Sequence, residues 1–424
     1  MSALSPTVQQ AIRSESAVRW TCWAGIALSA LGLWLVMPPV TLRSPVTSFV
    51  LVAIGAACGA WAAARGETKL GWSGVAVAGI CALLAYGATQ SSLAHLDGAL
   101  TTDSGPGVVD WGQLTYNMFV FATPLAFAAI GGMFSERSGV INIGLEGMML
   151  SGCFFGILGA DKFNSWELGI LTAAVSGAVL GLIHAFFSVH MRSDQIVGGT
   201  AINFLALGIT GYFFIQVYGL NGTPGTGVPY IPDVNLHFLN HIPPKDPGRP
   251  SFWYQAFGHL NLMIWLLFVV IVLAYFVMFR TSIGLRLRSV GEHPRAADTV
   301  GIDVYRTRYG AVIVSGVIAS LGGAYLAIGY VHSFTENMTA GRGFIALAAL
   351  IFGAWRPYGA FAACLLFGFS SALAQRLPDL AVSESSAWPV LFQTLPYVLT
   401  LIAVAGVIGR SIAPAAIGRP YSKQ

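Results

Sequence analysis

The stretch GMFSERSGVINIGLEGMML (residues 132–150) sets Glu136, Arg137, Asn142 and Glu146 among glycines, between runs that are otherwise apolar. Backbone that leaves the helical ladder inside lipid has no water to answer its N–H and C=O groups. It is tolerated only where protein buries it or where it lines a water path. A Gly-punctuated segment from Gly139 to Gly147 therefore reads as a break in a membrane span only if the rest of the chain surrounds it with other spans.

The composition supplies those spans. Only 9% of the 424 residues are charged and 55% are hydrophobic, with mean hydropathy +0.69. A soluble chain has about 25% charged residues, so most of this surface must meet something other than water. Apolar runs of roughly 18 residues or more, long enough to cross a bilayer as a helix, recur at 20–37, 45–64, 70–88, 114–134, 141–160, 166–190, 196–218, 260–279, 309–331, 342–355, 358–376 and 389–409. Not all reach full length. The expectation is an all-α polytopic membrane protein with about twelve transmembrane segments (range 10–12), one or two of them broken or re-entrant. Arg13 and Arg19 precede the first run and no small-residue cleavage site follows it, so it reads as a retained span. The 50 glycines suit close helix packing, as in the pairs Gly55/Gly59 and Gly177/Gly181. The five cysteines fall in apolar runs without CxxC spacing, so neither a disulfide nor a metal site is expected.

Orientation follows from the basic residues, which collect in cytoplasmic loops. The loop 280–308 carries Arg280, Arg286, Arg288, Arg295, Arg306 and Arg308, whereas 89–113 has Asp97, Asp103 and Asp110 and no Lys or Arg. Both termini then lie in the cytoplasm, with 411–424 as a cytoplasmic tail. The Pro- and Gly-rich connection 219–259 lies outside. By this topology the short run 342–355, which begins after Ala340-Gly341-Arg342-Gly343, runs opposite to 141–160, which begins after Ser138-Gly139. Paired broken helices in the two halves of a chain point to an inverted repeat around a central pathway.

The loop RLRSVGEHPRAADTVGID (residues 286–303) contains a short helix signal. Pro294 suits the first helical position, where a missing N–H costs nothing, and Gly301 can close the helix in the left-handed conformation. Ala296, Ala297 and Val300 then form a small, smooth face flanked by Arg295 and Asp298. Two turns of helix are not stable alone in water, so the helix must dock. It could lie on anionic headgroups, but its small apolar face favours a protein partner. No GxxxxGK[ST] loop and no Gly-Lys dipeptide occur, and HExxH and GxSxG are missing as well. The chain is thus not expected to be an enzyme, and any energy for transport must come from another subunit.

Three motifs in order carry a family resemblance: GGMFSERSGVINIGLEGMML (131–150), DQIVGGTAIN (194–203) and VGEHPRAADTVGI (290–302). Together they resemble the permease subunits of ABC importers serving simple sugars, nucleosides and branched-chain amino acids, most closely the nucleoside branch. The resemblance covers 114–410 and leaves 1–113 as an N-terminal extension with about three transmembrane helices. It implies a pathway formed with a second permease subunit, a different chain in much of this branch. It also implies cytoplasmic ABC ATPase subunits that hold ATP and Mg, an extracytoplasmic solute-binding protein, and a bacterial inner-membrane location among lipid. No cofactor bound by this chain and no nucleic acid are implied. The loop 280–308 would hold the coupling helix, with Glu292, Pro294, Arg295, Ala296, Ala297, Asp298 and Gly301 matching its motif.

Four residues stand out as substrate-pathway candidates. Asn142 and Glu146 are four apart and would share a face of a helix starting at Val140. The carboxylate could hold ribose hydroxyls; equally it could cap or pair locally, with Arg137 as one partner. Asn203 beside Phe204 offers an amide and a ring to a nucleobase, or ordinary helix packing. Glu136 and Arg137 are expected at the membrane edge as an ion pair or lipid contact, and His184 and His190 as interfacial or packed residues rather than ligands. A sugar, branched-chain amino acid or vitamin substrate is the alternative, and a stand-alone ion-coupled carrier the reading from another class; the latter needs ionisable groups at mid-membrane.

Overall fold

Helices built from apolar runs dominate the molecule. A computed structural model describes residues 46–65, 111–219, 227–241, 251–380 and 413–422 continuously, with further positions between 18 and 82 and at 222 and 223. The chain divides into two units, Met1–Trp111 with Ser370–Arg410, and Gly112–Phe369 with Ser411–Gln424. In the first, helix α1 (Val46–Ala64) meets its neighbours through Gly55, whose missing Cβ makes room for the Gly25 carbonyl, and through Gly59, where a Cβ would lie 2.9 Å from Gly71 O. The expected spans 20–37 and 70–88 lie partly, and 389–409 wholly, outside the described residues.

The second unit holds the site. The helices from there on, in chain order, are α2 (Trp111–Arg137), α3 (Leu145–Phe163), α4 (Trp166–Ala185), α5 (Gln195–Tyr218), α6 (Phe252–Phe257), α7 (Leu262–Arg280), α8 (Ser282–Glu292), α9 (Pro294–Thr299), α10 (Val304–Ala324), α11 (Arg342–Phe352) and α12 (Pro357–Leu380), of which α12 belongs to this unit only as far as Phe369. Wider π turns extend α4 through Phe186–His190 and α10 through Tyr325–Val331. Among the described residues six helices are long and apolar enough to cross a membrane: Trp111–Arg137, Trp166–His190, Gln195–Tyr218, Leu262–Arg280, Val304–Val331 and Pro357–Gln375. The protein is therefore a multi-pass helical membrane protein.

Burial sorts these helices. The apolar window of α2 is 83% buried and that of α10 72%, whereas α5 keeps only 17% of its window inside. Residues such as Val197, Phe204 and Tyr212 consequently stay exposed on α5, and Val269, Val272 and Phe276 on α7. Exposed apolar side chains on the rim of a membrane bundle match the lipid tails around them.

The core is a backbone-to-backbone contact. Gly177 of α4 and Gly316 of α10 face each other so closely that a Cβ on either would overlap the other's carbonyl. Gly131 of α2 lies against α10 in the same way, with its missing Cβ 2.6 Å from Ser315 O. Small residues let such helices gain dispersion contact along their length. α2 also carries Pro124, which has no N–H to offer the carbonyl four residues back. The buried Tyr325 hydroxyl donates to that carbonyl, Val120 O, at 3.4 Å.

The connection 219–259, expected to be irregular, is partly regular. Strand β1 (Asp233–Asn235) pairs antiparallel with β2 (His259–Asn261), Asp233 opposite Asn261. Asn261 ties this ribbon to the end of α10, donating to Ile231 O at 2.9 Å and to Gly329 O at 3.4 Å. The other irregular feature is α11. Its 11 residues rise only about 16 Å, half a crossing, and left-handed residues bracket it: Asn337, Ala340 and Gly341 before, Ala354 and Trp355 after.

Candidate functional site

The opening stretch is a break, and its polar backbone can be followed group by group. α2 ends at Arg137 and α3 begins at Leu145, so residues 138–144 are not helical. Gly139 turns the chain at φ +93°, in the left-handed region; a Cβ there would also come within 2.9 Å of Arg308 Nη2. The Ser138 and Gly139 amides bond back to Ser135 O and Glu136 O, both at 3.0 Å. Val140 O accepts from Ser135 Oγ at 2.7 Å. Ile141 is held from both sides, its N–H donating to Gln195 Oε1 at 2.8 Å and its carbonyl meeting His184 Nε2 at 3.0 Å. A carbonyl only accepts, so Nε2 carries the His184 proton. Asn203 spans the far end of the break, donating from Nδ2 to Ile143 O at 3.1 Å and accepting at Oδ1 from the Gly147 amide at 2.8 Å. Buried backbone in lipid needs such partners, and side chains of three other segments supply them.

The four pathway candidates lie in different surroundings. Asn142 and Glu146 do not share a helical face, because Asn142 lies in the break, where side chains rather than a helical ladder answer the backbone. Asn142 is fully buried and donates to Ser315 Oγ at 2.9 Å, while its Oδ1 has no hydrogen-bond partner. Asn203 and Phe204 point in different directions. Successive residues on a helix point about 100° apart, so Asn203 turns into the break and Phe204 is 70% exposed.

Glu146 is a cap across the structure. Its Oε1 accepts from the Gly341 amide at 2.7 Å and its Oε2 from the Gly343 amide at 2.5 Å. These are the free N–H groups at the start of α11, where the helix dipole favours an anion. Gly343 permits the approach, since a Cβ there would come 2.5 Å from Glu146 Cα. One carboxylate thus joins the two broken elements. The carboxylate's partner is the backbone of this distant half-helix and not Arg137.

Glu136 and Arg137 likewise do not pair with each other. Glu136 is buried and accepts from Trp355 Nε1 at 2.5 Å, and Arg137 Nε donates to Trp355 O at 3.0 Å. Both grip the left-handed turn Ala354–Trp355 that ends α11. The break is therefore fastened to both ends of the half-helix.

Below the break sits the loop 280–308. Thr281 caps α8 by accepting from the Gly284 amide at 3.3 Å. Pro294 occupies the first position of α9, and Gly301, at φ +84°, closes it with Ile302 N donating to Ala297 O at 3.0 Å. The expected smooth face is split. Ala297 is buried in a cluster with Val290, Val304 and Tyr421, because α9 must pack on its own chain to persist at this length. Arg295, Ala296 and Val300 are exposed, Val300 to 75%. Glu292 accepts at Oε2 from the Ala415 amide at 3.2 Å. Burial, and then the Asp298 carboxylate that its hydroxyl meets, push the Tyr421 phenol above its ordinary value.

Sequence reasoning missed Gln195, Ser315, Arg308 and Tyr421. For Gln195 a signal existed: Asp194 caps α5, accepting from the Ile196 amide at 2.8 Å, which fixes the next side chain pointing back towards the break.

The sequence that forms the break, the half-helix and the basic loop is similar to that of known proteins. Residues 114–404 match the family model described as the permease component of branched-chain amino acid transport systems. The chain belongs to this permease family. The permease is 43% identical over 311 residues to the guanosine ABC transporter permease protein NupQ of Bacillus subtilis (72% of this chain, 94% of that one). It is 41% identical over 316 residues to the nucleoside ABC transporter permease protein NupC of Lactococcus lactis (72% and 96%). A second guanosine ABC transporter permease protein of B. subtilis, NupP, is 26% identical over 253 residues (58% and 69%). No solved structure matches the permease. As an ABC permease component it is not itself an enzyme, and its partners are those of an ABC system.

Proposed function

We propose that this chain forms the solute pathway of an ATP-driven nucleoside importer. The observation that carries the reading is the likeness to NupQ and NupC over 94% and 96% of their lengths, at 43% and 41% identity. In this reading residues 114–410 are the permease domain and 1–113 an N-terminal extension with about three further helices, giving about twelve segments with both termini cytoplasmic. The chain sits in a bacterial inner membrane. A second, different permease chain completes the pathway, as the coexistence of NupP and NupQ in one bacterium supports. A cytoplasmic ATPase binds ATP and Mg, a solute-binding protein delivers the nucleoside, and this chain holds no cofactor and binds no nucleic acid.

Within that scheme α9 is the coupling helix. Arg295, Ala296 and Val300 face the ATPase, while Glu292, Pro294, Ala297, Asp298 and Gly301 set its position. Asn142, Glu146 and Asn203 shape the wall of the pathway by fixing the break, and Phe204 faces lipid. The engagement of Glu146 by two backbone amides argues against a stand-alone proton-coupled carrier, which would need such a carboxylate free. Uptake of labelled guanosine, glucose and leucine by cells with and without this gene tests the proposal. Guanosine uptake should fall in the deletion strain while the other two persist; unchanged guanosine uptake would overturn the reading.

A further inference from the structure

Residues 413–421 touch α8, the break, the start of α10 and the cluster under α9. The Ala416 amide donates to Gly291 O at 2.9 Å, at the last turn of α8, and the Ala415 amide to Glu292 Oε2 at 3.2 Å. Two residues on, the Gly418 amide donates to Gly139 O at 3.1 Å, inside the break itself. Gly418 adopts φ +73°, and a Cβ there would stand 2.9 Å from Ile141 Cδ1. Arg419 O accepts from Arg308 Nη1 at 3.1 Å, which fastens the same turn to the start of α10. Tyr421 then enters the space under α9, where its ring packs with Ala297, Val290 and Val304 and lies 5.6 Å from the Tyr305 ring.

Each contact is modest alone, but their placement is not interchangeable. Glycine at 291 lets α8 approach the carbonyl of Arg137, and the tail closes the remaining side of that contact. The underside of α9, a helix of 6 residues, rests on Tyr421 together with Val290 and Val304. Among the described residues, the rest of that cluster belongs to α8, to α10 and to the Ile302 that follows α9.

We propose that residues 413–421 are a positioning element that seats the candidate coupling helix and joins it to the re-entrant break, so that a push on α9 reaches the pathway through the tail. Tyr421 is the wedge and Gly418 the joint to the break. This rests on the reading of the chain as one half of an ATP-driven importer, but its first test does not.

That test places a cysteine at the buried position, Ala297→Cys, and follows its reaction with a water-soluble maleimide by mass spectrometry at that site. With the native tail it should label slowly. Adding Tyr421→Ala should speed labelling at least about tenfold, equivalent to about 1.4 kcal/mol of easier opening, and Tyr421→Phe should restore the slow rate. Tyr421→Leu, which keeps apolar volume, serves as the milder second variant and should fall between. Equal labelling rates in all four would overturn the proposal. The second test uses the whole transport complex in membrane vesicles, measuring guanosine uptake and ATP hydrolysis together. Tyr421→Ala should lower uptake per ATP hydrolysed about tenfold or more, with Tyr421→Phe near the native ratio. A merely structural tail would lower both activities together and leave the ratio unchanged, and that outcome would also overturn it.

Discussion

Replacing Glu146 by Gln removes charge without changing shape, and the structure allows the cost to be worked out. The carboxylate accepts two backbone N–H groups, from Gly341 and Gly343, at 2.7 and 2.5 Å. An amide can accept only one of them and turns an NH2 towards the other. A hydrogen bond to a charged group contributes about 1.5–3 kcal/mol, and an anion at a helix N-terminus a further 0.3–1 kcal/mol or so. Glu146→Gln should therefore weaken the start of α11 by about 2–4 kcal/mol. At about 1.4 kcal/mol per tenfold, the Gly341 and Gly343 amides should exchange with solvent deuterium roughly 30- to 1000-fold faster. Hydrogen-exchange mass spectrometry on a peptide covering 338–346 reads this directly. Glu146→Asp, shorter by one methylene, should lose one bond and fall between. If Glu146→Gln exchanges within about threefold of the native chain while guanosine uptake changes, the carboxylate works on solute and the capping argument is wrong.

Other residues give further expectations. Asn203→Leu orphans the Ile143 carbonyl and the Gly147 amide; at about 1–3 kcal/mol for each buried orphan it should sharply lower the amount of folded chain recovered from membranes, whereas Phe204→Ala, on the exposed side, should leave recovery unchanged. Ala296→Trp should insert and fold normally yet stop guanosine uptake, by blocking the outer face of α9. Ala297→Trp should destabilise the loop itself, read as faster proteolysis between 286 and 303. Gly177→Leu should prevent α4 from meeting α10 and abolish folding, and normal thermal stability of that variant in detergent would contradict the packing described.

The sequence reveals the class of fold because hydropathy in a membrane protein is a direct physical requirement. It locates the break within Gly139 to Gly147, Pro294 as the start and Gly301 as the end of the loop helix, since each depends on a backbone conformation peculiar to its residue type. It does not reveal who answers the break. Gln195, His184, Asn203 and Ser315 are distant in the chain, and nothing local says that their side chains converge. The shared-face reading of Asn142 and Glu146 fails for a related reason. It assumes a helix from Val140, but five residues of that helix are replaced by contacts with other segments. The split of the Ala296–Ala297 face was hidden as well, because its occupant, Tyr421, lies more than a hundred residues further on.

That arrangement sets a timetable for biogenesis. Residues 138–144 leave the ribosome well before most of the side chains that satisfy them: Asn203 follows Ile143 by 60 residues and Ser315 follows Asn142 by 173. At about 5–20 residues per second, that is roughly 3–12 s before the first of these partners exists and roughly 9–35 s before the second. During that interval the stretch cannot rest in lipid. It must wait in the aqueous interior of the insertion machinery or at the membrane surface, and slide inward only once its later neighbours have been made.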